Sequence, residues 1–236
     1  MGRGTTALFD PVKTASRMTD RVLVGVSGGK DSAVVLDLCC QYFRHVTGYF
    51  MHIVPGLAFQ ERILRWYEQR YGIEILRMPH FMTSEFYRYG TFRPADPSVP
   101  IVGVREAYDW AREKTGTWWI ACGERIADST IRRAMIKASG SIDAKRGRFY
   151  PVAEWTKKDI LDYVRIKKIR LCEDHAKIGH SLSSLDGREM SIVKRHWPKD
   201  YERIKRYFPL VEASIINWES RRMEVACEDD EEGDNA

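Results

Sequence analysis

The segment around residue 27 constrains the fold of this chain most strongly. A short apolar, β-branched run at residues 21–26 leads into Ser27-Gly28-Gly29-Lys30-Asp31-Ser32, and residues 32–44 follow without Gly or Pro. The first run is typical of a buried parallel strand, and the last is typical of a helix. The sequence therefore predicts a strand, a tight loop and a helix in direct succession, which is how α/β folds are built.

The chemistry of this loop suits a phosphate group. Gly28 and Gly29 let backbone amides approach an anion without obstruction by side chains. The first turn of the following helix adds unpaired N–H groups and the positive end of the helix dipole. Lys30 contributes a full positive charge, and the hydroxyls of Ser27 and Ser32 are further donors. Asp31 then has two roles open to it, since it would either orient the loop or help to hold Mg²⁺.

Two better-known phosphate motifs do not match. A Walker A loop has four residues between its first Gly and its Gly-Lys pair, but Gly25 and Gly29 are only four positions apart here. The G-x-G-x-x-G pattern of dinucleotide-binding folds is also absent. A nicotinamide-dependent reaction is therefore not indicated.

The rest of the chain alternates strand and helix patterns. We predict strands at 48–54, 74–78 and 117–122 and helices at 58–71, 104–114 and 157–168, the last opened by a capping box of Thr156 and Asp159. Residues 79–100, rich in aromatics and prolines, are expected to be a long loop, and residues 185–216 two or three helices. This order predicts a parallel sheet whose ligand lies at the carboxyl ends of the strands.

Charge is distributed unevenly along the chain. The protein has 38 basic and 33 acidic residues, and six of the acids fall within residues 228–234. Residues 227–236 are therefore expected to be an acidic, disordered tail, and the remainder has a net charge of +11. A basic folded part favours a polyanionic ligand, either a nucleotide or a nucleic acid. No apolar run approaches the roughly 20 residues of a membrane span, and no secretory signal is apparent at the N-terminus.

The cysteines do not form a recognisable framework. The chain has five, Cys39, Cys40, Cys122, Cys172 and Cys227, without a C-x-x-C pair or zinc-finger spacing. His175 and His180 are five positions apart, a spacing that does not favour a metal pair. We expect a reduced, cytoplasmic protein without zinc or an iron–sulfur cluster.

Three motifs in order carry a resemblance to a known family. The hexapeptide SGGKDS resembles the signature of the PP-loop ATP pyrophosphatase superfamily. Residues 123–133, GERIADSTIRR, are similar to the G-x-R-x-x-x-S-x-x-R stretch of its phosphoadenosine phosphosulfate (PAPS) reductase-like branch. Residues 150–163, YPVAEWTKKDILDY, resemble the P-x-x-x-W-T-x-x-D-[IV]-x-x-Y segment of the same branch.

The resemblance implies a fold and a reaction. The fold would be α/β, a parallel five-stranded sheet flanked by helices as in the adenine nucleotide alpha hydrolases. Its PP-loop domain would cover residues 21–170, between an N-terminal segment, 1–20, and a helical C-terminal extension, 171–226. Such enzymes cleave ATP to AMP and pyrophosphate and adenylate an acceptor.

The same resemblance assigns roles to individual residues. Residues 27–32 would hold the pyrophosphate with Mg²⁺, with Asp31 as the metal ligand. The catalytic residues would be Lys30, Asp31, Arg125 and Arg132. Arg125, Arg132 and Arg133 would close over the phosphates beside Gly123, and backbone groups near Ile53 and Val54 would read the adenine. Beyond Asp31, only Glu124 and Asp128 are candidate bases.

One departure from the family leaves alternatives open. Reduction of PAPS needs a cysteine in a C-terminal Glu-Cys-Gly-[Leu/Ile]-His sequence, whereas this chain has Val-Ala-Cys-Glu-Asp at residues 225–229. The leading hypothesis is therefore an adenylating enzyme whose acceptor lies in nucleic acid. The alternatives are a sulfonucleotide reductase that uses Cys227 and PAPS, and a non-catalytic nucleotide-binding regulator with the aromatic 79–100 segment as a partner surface. A homodimer is compatible with each of these.

Overall fold

The computed structural model describes residues 8–233 and the side chains of residues 8–222. Strands and helices alternate through the first two thirds of the chain, and helices alone follow. The strands are β1 Arg21–Gly25, β2 His45–His52, β3 Glu74–Pro79, β4 Ile120–Ala121, β5 Ile142–Asp143 and β6 Arg148–Phe149. The helices are α1 Asp10–Met18, α2 Lys30–Tyr42, α3 Ala58–Tyr71, α4 Met82–Tyr89, α5 Val104–Thr115, α6 Thr130–Ser139, α7 Lys157–Ile166, α8 Glu173–Ile178, α9 Gly187–His196, α10 Pro198–Tyr207 and α11 Glu212–Gly233.

The strands form one sheet in the order β3-β2-β1-β4-β6-β5. The first five strands of this order are parallel, as expected, with Val24 opposite Gly48 in β2 and Leu23 opposite Ile120 in β4. Strand β1, which leads into the glycine-rich loop, lies in the interior of the sheet. The α/β class and the parallel sheet are therefore confirmed.

The sheet has one strand more than expected. Strand β5 pairs antiparallel with β6, Ile142 opposite Phe149, and forms the edge of the sheet. Gly147, with φ of +60°, lies in the turn between these two strands. Strands of two residues are too short to show an alternating pattern, so the sequence does not reveal this hairpin. Strand β4, Ile120–Ala121, is also shorter than the predicted strand at 117–122.

Both faces of the sheet are covered. Successive residues of a strand point to opposite faces, so Val22 and Val24 join the core beneath α2, while Leu23 packs on the other side with Tyr49 and Ile120. Helix α2 is buried at eight consecutive positions, 32–39, because it packs against β1 and between α1 and α7. The capping box of Thr156 and Asp159 is present at the start of α7. The loop before α2 therefore leads into a helix that packs against β1, α1 and α7.

The expectation of a long loop at residues 79–100 is wrong. Residues 82–89 form helix α4, which the neighbouring prolines obscured in the sequence but do not interrupt. Phe86 and Tyr87 pack edge-on against Phe208, with ring centroids 6.1 and 6.0 Å apart. Tyr89 remains 71% exposed. Most of these aromatics therefore hold the segment to the core, which weakens its interpretation as a partner surface.

The two ends of the described chain are helical. Helix α1 lies within the predicted N-terminal segment, and the indole nitrogen of Trp155 donates to the carbonyl of Leu8 at 2.9 Å. Helix α11 extends to Gly233 and so includes most of the segment expected to be a disordered tail. Glu, Ala and Met favour helix, which explains why the backbone continues past residue 227. Within residues 8–233 no helix is both long and apolar enough to cross a membrane.

Candidate nucleotide site

The glycine-rich loop leaves the carboxyl end of β1 at the expected position. The N–H of Val26 donates to the carbonyl of Tyr49 at 2.8 Å, which continues the pairing with β2 up to the start of the loop. Gly28 has φ of +79°, a left-handed conformation that favours glycine, and Gly29 is the residue before α2. The first N–H groups of α2 have no partner within the helix, so they are available to an anion.

The two serines of the loop are joined by hydrogen bonds. The hydroxyl of Ser32 accepts from the N–H of Ser27 at 3.2 Å, lies 3.0 Å from the hydroxyl of Ser27, and donates to the carbonyl of Gly29 at 3.1 Å. This network closes the loop over the start of α2. The hydroxyls therefore shape the loop in addition to being potential donors to a ligand.

A second segment braces the loop from outside. The N–H of Cys172 donates to the carbonyl of Gly28 at 3.0 Å. A Cβ on Gly28 would lie 2.9 Å from the Cβ of Cys172, closer than such atoms come in proteins. Gly28 is thus required both by its backbone conformation and by the close approach of residue 172.

The charged residues predicted from the sequence form a continuous series of ion pairs. Lys30 Nζ lies 2.6 Å from Asp31 Oδ2, and Arg125 Nε lies 3.0 Å from Asp31 Oδ1. Arg125 Nη2 also contacts Asp128 Oδ1 at 2.8 Å, and Arg132 Nη1 contacts Asp128 Oδ2 at 3.2 Å. The carboxylates of Asp31 and Asp128 are each held between two cations, so this corner of the site has more positive than negative charge.

The three arginines after β4 occupy different positions. Arg132 is half-exposed and lines the cavity described below, whereas Arg125 is only 6% exposed and lies behind Asp31 and Asp128. Arg133 is exposed, and its Nε donates to the carbonyl of Ile126 at 3.4 Å, away from the cavity lining. Arg132 is therefore the arginine placed to touch a ligand in this conformation.

An open cavity of about 880 Å³ lies along the carboxyl edge of the sheet. Its walls come from the residues that end or follow β1, β2, β3 and β4, together with residues 180–183. Of the residues predicted for the site, six line it: Ser27, Asp31, Ser32, Ile53, Gly123 and Arg132. The others, Gly28, Gly29, Lys30, Val54, Arg125 and Arg133, stand beside it, and Val54 is almost fully buried.

Several lining residues were not predicted. They include Tyr49, Phe50, Met51, Leu57, Gln60, His80, Phe81, Met82, Tyr108, Cys122 and the segment 180–183. His80 directly follows β3, so the rule that ligands lie at strand carboxyl ends would have found it. Residues 180–183 lie far from any strand in sequence, and the sequence assigned them no role in a nucleotide site.

Glu124 differs from the other two acids of the cavity. Asp31 and Asp128 pair with cations, but within residues 8–222 no ion pair involves Glu124. Burial raises the pKa of the Tyr108 phenol to about 12, and the charge of Glu124 adds to this effect. Glu124 is therefore the lining acid that is left available to a ligand.

The described thiols are not activated. Cys39, Cys122 and Cys172 are buried, and burial raises the pKa of each well above its usual value. Cys122 lines the cavity but is only 6% exposed. The side chain of Cys227 lies outside the described residues. Among the described residues, no three His, Cys, Asp or Glu side chains are grouped closely enough to hold a metal by themselves.

Comparison with known families decides the relationship that these motifs indicate. The phosphoadenosine phosphosulfate reductase domain matches residues 21–182, which is more than half of the chain. The chain belongs to this family. The match begins at β1 and ends within the segment 180–183, so it contains every strand of this member's sheet and nearly all of its cavity.

Three solved structures are similar to this chain, one of them with a TM-score above 0.5. PAPS reductase from Candida auris, in a phosphate complex, has a TM-score of 0.51 and 13% identity, covering 75% of this chain and 87% of that one. U34-tRNA thiolase NcsA from Methanococcus maripaludis, with its [4Fe-4S] cluster, has a TM-score of 0.48 and 16% identity over 88% of this chain and 80% of that one.

A third structure has a similar level of likeness. NH3-dependent NAD synthetase from Campylobacter jejuni has a TM-score of 0.46 and 14% identity, covering 90% of this chain and 92% of that one. No curated protein matches the chain significantly. At 13% identity, the likeness to the Candida auris structure shows the fold alone.

Proposed function

We propose that this protein binds ATP and cleaves it to AMP and pyrophosphate, transferring the adenylyl group to an acceptor. The observation that carries the proposal is the loop at residues 27–32, which opens at the start of α2 onto a cavity of about 880 Å³. The loop offers backbone N–H groups, and Lys30 and Arg132 stand on either side of Asp31 and Asp128. These groups suit a polyphosphate better than any other common ligand.

The end of β2 provides a place for the adenine. Ile53, Leu57 and Phe50 give this part of the cavity an apolar wall, and Gln60 adds an amide that donates and accepts hydrogen bonds. Phe50, Leu57 and Gln60 are largely buried, which gives the wall a fixed shape. A planar, weakly polar base with hydrogen-bonding edges fits such a surface.

The charges of the cavity favour ATP over PAPS. Arg132 is the one Lys or Arg among the lining residues. It belongs to the series of ion pairs that leads back to Lys30 in the loop. The 3′-phosphate of PAPS would need a cation of its own at the ribose, and the lining residues near Ile53 supply none. We therefore expect a nucleotide with a free 3′-hydroxyl to bind more tightly.

Glu124 is the residue best suited to hold Mg²⁺. Both carboxylate oxygens of Asp31, the ligand expected from the sequence, lie against Lys30 and Arg125. Mg²⁺ commonly takes one or two carboxylates and completes its shell with phosphate oxygens and water. Glu124 lines the same cavity without a cationic partner among residues 8–222, and bound Mg²⁺ would neutralise phosphate charge there.

The proposed reaction is the one that the resemblance to PP-loop ATP pyrophosphatases implies. An acceptor oxygen attacks the α-phosphorus, the bond from that phosphorus to the bridging oxygen breaks, and pyrophosphate leaves with the bonding electrons. The N–H groups of residues 28–32 and the charge of Lys30 stabilise the negative charge on the departing pyrophosphate. The site therefore acts by holding the triphosphate in line with the acceptor oxygen.

Product analysis with ATP and Mg²⁺ tests this function. AMP and pyrophosphate are the expected products, and ADP would contradict cleavage at the α-phosphorus. Lys30→Met should weaken ATP binding about tenfold, because a charged contact to phosphate is lost. Lys199→Met, an exposed lysine outside the cavity lining, should bind ATP as the wild type does.

The same assay separates the other hypotheses. Sulfite release from PAPS that is lost in Cys227→Ser would instead identify a sulfonucleotide reductase. ATP binding without turnover under any condition would identify a nucleotide-binding regulator.

The acceptor is proposed to be part of a nucleic acid. Helix α6 borders the cavity through Arg132, carries Arg133 and Lys137, and contains no acidic residue. It is buried only at Ile136, and Ile131 is 80% exposed, so a polyanion could lie along it. The double variant Arg133→Glu and Lys137→Glu should abolish salt-dependent binding of single-stranded RNA or DNA. Unchanged binding would remove α6 from the proposal.

A further inference from the structure

Residues 180–183 form a wall of the cavity and lie outside the three motifs that carry the family resemblance. His180, Ser181, Leu182 and Ser183 all line the cavity, although they lie about 150 residues after the phosphate loop in sequence. The family match ends within this segment. Its position raises the question of what holds it there and what it contributes.

Two buried carboxylates hold the backbone of this wall. Asp174, 1% exposed, accepts from the N–H of Leu182 at 2.8 Å. Glu189, 4% exposed, accepts from the N–H of Ser183 at 3.0 Å and from the N–H of Ser184 at 3.2 Å. Hydrogen bonds that a carboxylate accepts are stronger than neutral ones, and these three hold the backbone of residues 182–184 in place. Glu189 also accepts from the Ser183 hydroxyl at 3.3 Å and lies 3.7 Å from His180 Nε2, so it contacts side chains of the wall as well as its backbone.

The wall approaches the phosphate loop at one residue. A Cβ on Gly29 would lie 2.9 Å from the Ser181 hydroxyl oxygen, so this hydroxyl stands directly beside the last residue before α2. Gly29 precedes the unpaired N–H groups of the helix. The Ser181 hydroxyl and those N–H groups therefore face the same small volume of the cavity.

The hydroxyl of Ser181 differs from those of its neighbours. Ser183 Oγ donates to Glu189 at 3.3 Å, and Ser184 Oγ donates to Asp186. Within residues 8–222 no hydrogen bond is formed by Ser181 Oγ, although the residue is only partly exposed. It is the hydroxyl of this wall that is free to bind a ligand.

We propose that Ser181 is a polyphosphate-binding residue, whose hydroxyl donates to the β- or γ-phosphate of the nucleotide and to the departing pyrophosphate. Asp174 and Glu189 act as positioning residues, because they hold the backbone on which Ser181 stands. The proposal rests on the proposed ATP site and adds to it a donor from the opposite wall. No step of it requires a group other than the nucleotide.

Binding measurements with ATP, pyrophosphate and AMP test the proposal without requiring turnover. In Ser181→Ala the affinity for ATP and for pyrophosphate should fall about tenfold, because one hydrogen bond to a charged phosphate is lost. The affinity for AMP should stay unchanged, because AMP lacks the β- and γ-phosphates. Ser181→Thr keeps the hydroxyl and should restore ATP binding.

Two further variants separate a local effect from a general one. Ser184→Ala is the matched control, since Ser184 does not line the cavity and its hydroxyl bonds to Asp186. It should bind all three ligands as the wild type does. Glu189→Gln should lower the affinity for ATP and pyrophosphate but not AMP, provided that its circular dichroism spectrum shows it folded.

The outcomes are distinct. ATP and pyrophosphate binding that is unchanged in Ser181→Ala overturns the proposal, and so does an equal loss for AMP, which would show a merely structural effect. If the wild-type protein binds none of the three ligands, the proposed nucleotide function itself fails, and the role of Ser181 fails with it.

Discussion

Arg125 Nε lies 3.0 Å from Asp31 Oδ1, which ties the segment after β4 to the phosphate loop after β1. The guanidinium is 6% exposed and also contacts Asp128, so one buried cation serves two carboxylates. Both oxygens of the Asp31 carboxylate therefore lie against cations, one from the loop and one from the segment after β4.

Removal of this cation should destabilise the protein. Arg125→Met would leave Asp31 and Asp128 with fewer partners in a poorly hydrated place, at a cost of about 3 kcal/mol in the free energy of unfolding. Urea unfolding measures the change. Arg132→Met, which removes an exposed partner of the same Asp128, should cost less than about 1 kcal/mol. Equal effects of the two variants would contradict the buried role of Arg125.

Gly28→Ala tests the brace between Cys172 and the loop. At this position φ is +79° and a Cβ would meet the Cβ of Cys172 at 2.9 Å. Gly116 offers a matched control, because its φ is +61° and nothing lies within 4 Å of its Cβ position. Both alanines must adopt a left-handed backbone, which lowers the free energy of unfolding by about 1–2 kcal/mol. Only Gly28→Ala also brings a Cβ into collision with Cys172. We expect it to unfold at lower urea concentration than Gly116→Ala and to lose ATP binding.

The stability of the protein should fall as the solution becomes mildly acidic. Burial lowers the pKa of His52, His80 and His175 below the usual 6.5, so the native state binds fewer protons than the unfolded chain. Stability is then fully present above pH 6.5 and is lost as the pH falls through 6.5 towards the lowered values.

Urea unfolding between pH 7.5 and 5.5 measures this dependence. Replacement of the three histidines by Gln should flatten it. Carboxylates with a lowered pKa, such as Glu68 and Glu173, lose their contribution only near pH 4 and do not interfere. Stability that rises as the pH falls would be contrary to the burial of these rings.

The described thiols should resist alkylation in the native protein. Burial raises the pKa of Cys40 to about 12, and Cys39, Cys122 and Cys172 are more deeply buried. Iodoacetamide at pH 8 should therefore label them only after unfolding in urea, as peptide mass spectrometry would show. Rapid native labelling of Cys122, which lines the cavity, would reveal an activated thiol there and would bring sulfur chemistry back into consideration.

The phosphate loop illustrates what can be predicted from local sequence. The strand, the two glycines and the helix of residues 21–42 are adjacent in the chain, so their pattern is sufficient to predict a parallel strand with a glycine-rich loop at its carboxyl end. The capping box of Thr156 and Asp159 was equally readable, since its partners are three residues apart. Helix α4 was not predicted, because prolines on both sides of it are typical of a loop.

Pairings between distant residues could not be read in this way. Nothing in the pattern around Asp128 or Arg133 distinguishes a residue that faces the cavity from one that faces away from it. Likewise, the sequence favoured Asp31 as the metal ligand and offered Glu124 and Asp128 only as further candidate bases. The positions of Lys30, Arg125 and Arg132 show which of these carboxylates pair with cations.

The sequence by itself therefore determined the α/β class, the glycine-rich loop between β1 and α2, and the family, because these depend on residues close together in the chain. Only the tertiary structure decided which arginine reaches the cavity, that Glu124 is left unpaired among the described residues, and that Ser181 stands beside Gly29. The physical reason is that these relationships depend on burial and on distances across the sheet edge, which arise when helices and strands far apart in sequence pack together.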